Sequence, residues 1–557
     1  MKMLLLLRNQ TGMAAFIALM IMLMLTIIGA AVIKTADNEL NIAGNEANEM
    51  AAFYAAEAGL ERASAMIQDQ YESTGGPPTS LPTGGETINN CVMSYNATDN
   101  GAAQQEILTL GTLAGLKALV KSYTVSATGT SQSDNSSINL VQEFECAMIP
   151  LFQFAVFYGN DLEIAPGPDM TLIGRVHSNG NLWLQAGNNL YMDSYVTCSG
   201  NLLHGRKGAG SVSNGDVYVK DTDGNYQNMQ NSDGSFLEST DAGWYDSAST
   251  RWGGRVQDAA FGQGELHLPL TNAGDPHKII ERASGNSDSY ENLADLKIID
   301  GAAYSVIGGV WTNVTSMLPA NTITNTTFYD KHEGTWVNST DVDVAALATS
   351  SYFPSNGVIY ASDQSGGSFN AIRLTNGADI GKALTVASEN PMYVQGDYNS
   401  VDKKPAALMA DAVTFLSNNW DDARSHPDTS LNRRKTTETT CNASVMTGNT
   451  NTTSSNYNGG LENLPRFLET WKDNSGSKVK FNFTGSLVNL WNSQQANGPW
   501  SYGSYYTAPI RNWSYDTDLD DPNKLPPETP QVRVFQRTRW QQNDVGYAQQ
   551  DEISVDN

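Results

Sequence analysis

The sequence predicts an α+β protein: one long N-terminal helix followed by a mainly β ectodomain, with part of the β region built as a solenoid or a meander. Three observations carry this. Met13–Ile33 is a run of 21 uncharged, mostly apolar residues, enough to cross a ~30 Å hydrocarbon core as a helix. The segment after it, TADNELNIAGNEANEMAAFYAAEAGLERASAMIQ, is polar and rich in Ala, Glu, Leu and Met, so the helix is expected to continue to about Tyr71. Beyond that point long amphipathic patterns vanish, and Gly, Asn, Ser, Thr and Tyr dominate, a composition suited to short strands joined by turns.

Residues 1–12 read as a basic leader, with Lys2 and Arg8 before Gly12. Asp37, Glu39, Glu46 and Glu49 follow the span against a single Lys34, which places the N-terminus on the cytoplasmic side and the bulk outside. Residues 13–71 then form a rod of roughly 90 Å at ~1.5 Å per residue. Within it Phe53, Ala56, Leu60 and Ala63 recur every three or four residues, a close-packing face meant for another surface. Residues 72–85, with Gly75-Gly76-Pro77-Pro78, break the helix and act as a linker. Residues 86–157 are expected to be a small α/β unit packed on the helix, with strands at Cys91–Tyr95 and Lys121–Val125 and a helix near Ala102–Leu119.

From Asp161 short apolar triplets alternate with Gly-Asn corners, at Asn179-Gly180-Asn181, Gly187-Asn188-Asn189 and Gly200-Asn201. Stacked rungs would give that texture, although the period is irregular. Residues 158–430 are therefore taken as a β-rich domain with long loops. Residues 431–460, nearly low-complexity in Thr, Asn and Ser, read as a mobile loop. Residues 461–545 make a C-terminal unit, with one short helix in GGLENLPRFLETW and an aromatic stretch after it, and 546–557 are a tail.

The chain has 557 residues and a net charge of −26, and loss of Lys2 and Arg8 with the leader takes this to −28. Such a surface repels polyanions, which argues against a nucleic-acid partner. Four cysteines, Cys91, Cys146, Cys198 and Cys441, are far apart and lack metal-ligand spacing. In an oxidising compartment they allow two disulfides, with Cys91–Cys146 favoured because both fall in strand-like pieces of one small unit.

No GxSxG, HExxH or GxxxxGK[ST] motif occurs, and the six histidines share no spacing. The reading is non-enzymatic, with no catalytic residues assigned. His177, beside Asn179, reads as a structural hydrogen-bonder rather than a base. No cofactor is implied beyond calcium, for which two clusters offer alternating oxygens: Asp221, Asp223 and Asn225, and Asp516, Asp518 and Asp520. Both lack the glycine and the final glutamate of an EF-hand loop, so solvated turns are the competing explanation. Trp491, Trp500, Tyr502, Tyr505, Tyr506 and Trp513 either pack a β-domain or form a platform for a surface or carbohydrate ligand.

Leader glycine, apolar span and the phrase Phe53-Tyr54-Ala55-Ala56-Glu57-Ala58-Gly59-Leu60-Glu61 occur in order, and over about residues 8–67 they resemble the N-terminal module of PilX-type minor pilins. That module is shared by type IV pili and by the tip pseudopilin of type II secretion. GRVHSNGNLWL, NPMYVQGDYN and GGLENLPRFLETW are similar to segments of large PilX-domain proteins. The resemblance implies a pilin-type helix, cleavage by prepilin peptidase after Gly12, and Met13 as the N-methylated mature terminus. It implies other major and minor pilins and an inner-membrane assembly platform as partners. It also implies residence in a bacterial inner membrane with a periplasmic ectodomain before assembly, and at a pilus tip or cell surface afterwards. Major pilins carry glutamate at the fifth mature position, where this chain has Ile17. A buried glutamate neutralises the terminal ammonium of a subunit already in place, and a subunit with none ahead of it has no such partner. Ile17 thus points to the filament tip and to assembly initiation. Four alternatives stay open: a secretion pseudopilus tip, a single-pass anchored adhesin, a secreted or anchored carbohydrate-active enzyme, and a cleaved secretory signal ending near Gly29-Ala30-Ala31.

Overall fold

The computed structural model describes residues 4–109, 111–208, 213–270, 274–367, 369–453, 457–500 and 503–544. Helix α1 (Leu4–Thr74) is a single helix of 71 residues, roughly 105 Å long at ~1.5 Å per residue. It passes through Gly12-Met13 without a break and stops three residues beyond the expected Tyr71. Gly75, at φ 71°, ends it. A side chain there would collide with the Pro269 carbonyl oxygen, so only glycine suits this exit.

The half of α1 nearer its C-terminus lies on an antiparallel sheet. Its strands are β1 (Thr83–Ile88), β2 (Cys91–Asp99), β3 (Gln104–Ile107), β4 (Lys117–Ser131), β5 (Ser137–Pro150) and β6 (Gln531–Asp544). Their order is β1-β2-β4-β5-β6, with β3 also on β4. β2, β4 and β5 alternate buried and half-exposed residues, the period-2 pattern of a sheet with one face on a core. Three expectations need correction here. The helix expected near Ala102–Leu119 is instead β3, a 3₁₀ turn and the start of β4, because Gln104–Ile107 completes a ladder along β4. The linker is shorter than 72–85, since β1 already pairs from Thr83. Among its described residues the 86–157 unit has no α-helix, only 3₁₀ turns, and it is incomplete without β6 from the far end of the chain.

The rest of the chain is a β-solenoid organised on one twelve-stranded sheet. Strands Phe154–Tyr158, Arg175–Ser178, Val196–Cys198 and Val256–Gln257 stack in parallel toward one end. Strands Leu296–Ile299, Val358–Ser362, Leu384–Ser388, Ala406–Ala410, Ser444–Thr447 and Leu487–Asn489 stack in parallel from the other end. The two series meet where Leu487–Asn489 pairs with Phe154–Tyr158. The chain therefore builds the first series away from the seam and the second back toward it, and the seam lies mid-sheet.

In the first series Leu162 pairs with Leu182 and Leu182 with Leu202, a regular step of twenty residues. The corners repeat with it: the Asn181 amide donates to Asp161 Oδ1 at 2.8 Å, and the Asn201 amide to Asn181 Oδ1 at 2.8 Å. Side chains at Gly180 and Gly200 would collide with those same oxygens, which is why each corner reads Gly-Asn. Insertions break the period in both series: Val196 pairs with Val256 in the first, and Ala407 with Ser444 and Val445 with Leu487 in the second.

Residues of the long sheet alternate between two cores. Val156, Ile359, Leu408, Val445 and Leu487 face the solenoid interior, while Phe157, Tyr360, Met409, Met446 and Val488 face outward. The crossover that carries the chain back between the two series covers the outward face with Leu266, Leu268, Ile279, Ile280 and Tyr290. It is latched by His277, whose Nδ1 lies 2.8 Å from Glu281 Oε1 and whose Nε2 lies 3.3 Å from Asp411 Oδ1. Burial opposes charge on this imidazole, but the two carboxylates outweigh it and raise its pKa. Helix α2 (Trp244–Trp252) buries Trp244, Ala248 and Trp252 in the interior core.

The expected divisions at 430 and 461 are not domain boundaries. Within the supposed mobile loop, Thr439–Asn442 and Ser444–Thr447 are strands, with Cys441 and Val445 fully buried. Thr and Asn suit both loops and inward-facing polar rung positions, so composition alone misread them. The short helix expected in Gly459–Trp471 is a single 3₁₀ turn at Leu461–Asn463, followed by the strand Arg466–Phe467.

Buried acids make solenoid stability depend on pH. Glu469 is 1 % exposed, and its carboxylate accepts from the Ser417 amide at 2.6 Å and the Ser417 hydroxyl at 2.8 Å. Burial pushes its pKa up to about 7 against those bonds. A raised carboxylate keeps its proton in the folded state after the unfolded chain has released it, so its contribution is complete below about pH 4.5 and lost as pH rises through 7. Relative to Glu469→Gln, the wild-type chain is expected to lose on the order of 2 kcal/mol between pH 4.5 and 8. Melting of both proteins across that range measures it, and a difference independent of pH contradicts it.

Candidate functional site

The candidate functional element is α1, whose two parts have different surroundings. From Met13 to Ile33 its side chains are exposed, with Met13 63 % and Ile17 52 % accessible. This is the one described helix long and apolar enough to cross a membrane. From Ala52 the helix is buried on one face by Ala52, Ala55, Ala56, Leu60, Ala63, Ile67 and Tyr71. Small residues there let helix and sheet approach closely. A Cβ on Gly129 of β4 would run into the Ala52 carbonyl oxygen and lie 2.7 Å from the Ala56 amide nitrogen, and one on Gly59 would be 3.1 Å from Ala127 Cβ and Met93 Sδ.

This corrects the role given to Phe53, Ala56 and Leu60. Ala56 and Leu60 are buried, and Phe53 is half-buried, against the protein's own sheet. Helical spacing reports that a face is covered but not by what. The opposite face carries Met50 and Tyr54, both exposed.

Strand β6 fastens this unit in a way the sequence reading missed. Val532 and Phe535 join the sheet, Phe535 stacks on Phe144 at 5.5 Å, and Arg537 grips Glu61 of α1 through paired bonds of 2.5 and 2.6 Å. Arg533 donates to the Glu72 carbonyl at the end of α1 at 2.6 Å. The alternation in Val532-Arg533-Val534 was the available signal, obscured by the Pro-rich stretch before it.

All four cysteines are buried free thiols. Cys91 lies opposite Ser131 on β4, while Cys146 lies opposite Lys121. Those positions are ten residues apart along one strand, roughly 33 Å at ~3.3 Å per residue, whereas a disulfide needs Cα atoms within about 7 Å. The Cys91–Cys146 pairing is thus geometrically excluded. The pair that would remain, Cys198 and Cys441, lies in different sheets.

In the two proposed calcium clusters Asp221, Asp516, Asp518 and Asp520 already use their oxygens. Asp221 Oδ1 accepts from the amides of Asp223 and Asn225 at 3.0 and 2.8 Å, and Oδ2 from Gln227 at 2.7 Å, closing a hairpin turn. Lys403 Nζ lies 2.7 Å from Asp516 and 2.8 Å from Asp518, and Lys524 Nζ lies 2.7 Å from Asp518. Asp520 accepts from Tyr515 at 2.8 Å. The bonds and charges of Lys403 and Lys524 hold Asp518 down at about 2. Among the described residues no group of three or more His, Cys, Asp or Glu could hold a metal ion.

Trp491 and Tyr506 are buried, while Trp500, Tyr505 and Trp513 pack partly buried on the core. Tyr502 lies outside the described residues. His177 bonds Thr197 Oγ1 at 2.8 Å and Asn179 Oδ1 at 2.9 Å. Burial pushes its pKa down to about 4, which keeps it a neutral structural link.

Helix α1 is thus bound to an antiparallel sheet along one part and bare and apolar along the other. The family model "PilX N-terminal" matches residues 12–61, so the apolar part of α1 and the start of its sheet-bound part are similar to a PilX-type N-terminal module. No curated protein matches the chain. A solved structure, the competence-associated pilin ComZ from Thermus thermophilus, aligns over 89 % of this chain and 97 % of its own at 13 % identity, with a TM-score of 0.32. That score is too low for the overlay to bear on fold or function.

Proposed function

We propose that this chain is a minor pilin that acts at or near the tip of a type IV pilus, helps to start assembly and displays its solenoid there. The observation that carries this is the division of α1. Its first half, inside the matched module, is bare and apolar, and its second half is fixed to a folded sheet. Prepilin peptidase would expose Met13, and the helix would pass from the membrane into a bundle of like helices. Lateral packing then falls to Met13–Ile33 and to the exposed Tyr54 side of α1, since the Ala56–Leu60 face is already covered. At ~4.8 Å per strand the twelve-stranded sheet extends roughly 50 Å. A body that long is more easily carried once at a tip than repeated along a shaft.

Ile17 supplies the test. Placing a carboxylate there gives the subunit a partner for a terminal ammonium that a tip position does not offer. Ile17→Glu is expected to lower pilus number at least tenfold, or to move the subunit from tip to shaft in labelled filaments. Unchanged number and tip location would defeat the tip assignment.

A further inference from the structure

Where the two solenoid series meet, the strands end at a polar cleft lined by Tyr158, Asp161, Glu163, Asn449, Asn458 and Asn492. It encloses about 420 Å³ including its open mouth, and its interior admits only about 30 Å³, the space of one water-sized group. Tyr158, Glu163 and Asn449 are 4, 5 and 4 % exposed. Tyr158 Oη and Asn449 Nδ2 find no hydrogen-bond partner among the described residues. Leaving such groups dry and unpaired is unfavourable, and the fold places them together.

The surroundings are balanced in charge. Asp161 pairs with Lys207 at 2.7 Å, and Arg206 Nε lies 3.7 Å from Glu163. Glu462 accepts from the Ala165 amide at 3.0 Å, and Arg511 donates to its carbonyl at 2.8 Å. Burial pushes the Glu462 carboxyl up to about 7. The mouth is neutral amide and hydroxyl, with Asn160, Asn451 and Asn492 exposed. Aromatic faces flank it: Tyr457 meets Trp500 at 5.1 Å and lies under Arg206, and Lys207 reaches over Trp183.

We infer that this seam cleft is a binding site for a neutral saccharide, whose ring rests at the amide-lined mouth and whose hydroxymethyl or hydroxyl group enters to meet Tyr158 Oη, Asn449 and Glu163. A cation is disfavoured because the lysine and arginines already offset the acids. An acidic sugar is disfavoured because the inner wall is a carboxylate. The site gives the display function a ligand class, yet it does not depend on filament position, so Ile17→Glu and the cleft variants fail or succeed separately.

The test is saturation-transfer NMR on the full chain in detergent micelles. The probes are cellohexaose, xylohexaose, mannohexaose and chitohexaose, with hexagalacturonate as the acidic comparison. At least one neutral hexasaccharide is expected to bind, and Tyr158→Phe and Asn492→Ala are each expected to weaken it at least fivefold. Asn492 is exposed, so its variant reports on the mouth with no packing change, and equal melting temperatures confirm that both variants fold. Failure of all four neutral sugars, binding of hexagalacturonate alone, or affinity unchanged in both variants overturns the proposal.

Discussion

A chain ending at Pro530 is expected to lose its folded helix–sheet unit while keeping its solenoid. The truncation removes β6, which pairs along β5 from Pro150 to Ile138, and with it the buried Val532 and the Phe535 stack on Phe144. Phe535 is half-buried in the helix–sheet core and Val532 sits in the neighbouring core on the long sheet, so the two side chains contribute roughly 2–4 kcal/mol, and the Arg537–Glu61 clasp goes as well. β5 would be left as a bare edge, with its amides and carbonyls unpaired. Calorimetry should show the helix–sheet unit melting separately and far below the full-length chain. Cys146 offers a direct readout, since it lies opposite Phe535 and is 1 % exposed. Its thiol should become open to alkylation in the truncated chain. Continued protection would mean that the sheet holds without its last strand.

Gly129→Val is expected to destabilise the same unit by about 2–4 kcal/mol through overpacking against backbone. The obstacle is the carbonyl of Ala52 and the amide of Ala56, neither of which can move unless α1 lifts from the sheet. The lower melting temperature should come with faster proteolysis of residues 34–74. Gly76→Ala is the control, because nothing lies within 4 Å of a Cβ there, and it should be neutral within about 0.5 kcal/mol. Equal effects at the two glycines would show that close approach at Gly129 is not what holds the helix.

The parts legible in the sequence were those written in local periods. Met13–Ile33 announces itself by length and absence of charge, and α1 ends close to where the Gly-Gly-Pro-Pro stop suggests. The Gly-Asn corners signalled rungs because each glycine lies beneath the side chain of the preceding corner, a constraint repeated every twenty residues. What stayed hidden depends on contacts far apart in sequence. Nothing near Gln531 says that its partner is β5, and nothing in Thr439–Thr447 separates a polar rung from a loop. The face formed by Ala56 and Leu60 shows the limit most plainly, since its spacing is identical whether a neighbouring subunit or the chain's own sheet covers it. The candidate cleft was invisible for the same reason, because it joins Tyr158 and Glu163 to Asn449 and Asn492 only once the seam closes.

The mid-sheet seam also bears on how the molecule comes into being. As the chain emerges from its N-terminus, Phe154–Tyr158 can pair with Arg175–Ser178, but its other flank stays open until Leu487–Asn489 arrives. The first rungs thus wait through the synthesis of some three hundred residues with a raw β edge, the kind of surface that recruits stray strands. β5 waits still longer for β6. Newly made chains should therefore be vulnerable to proteases and to one another up to the last segment, after which two closures seal the molecule almost together. Completion of the C-terminal strands acts as a maturation checkpoint, because no intermediate length buries both edges.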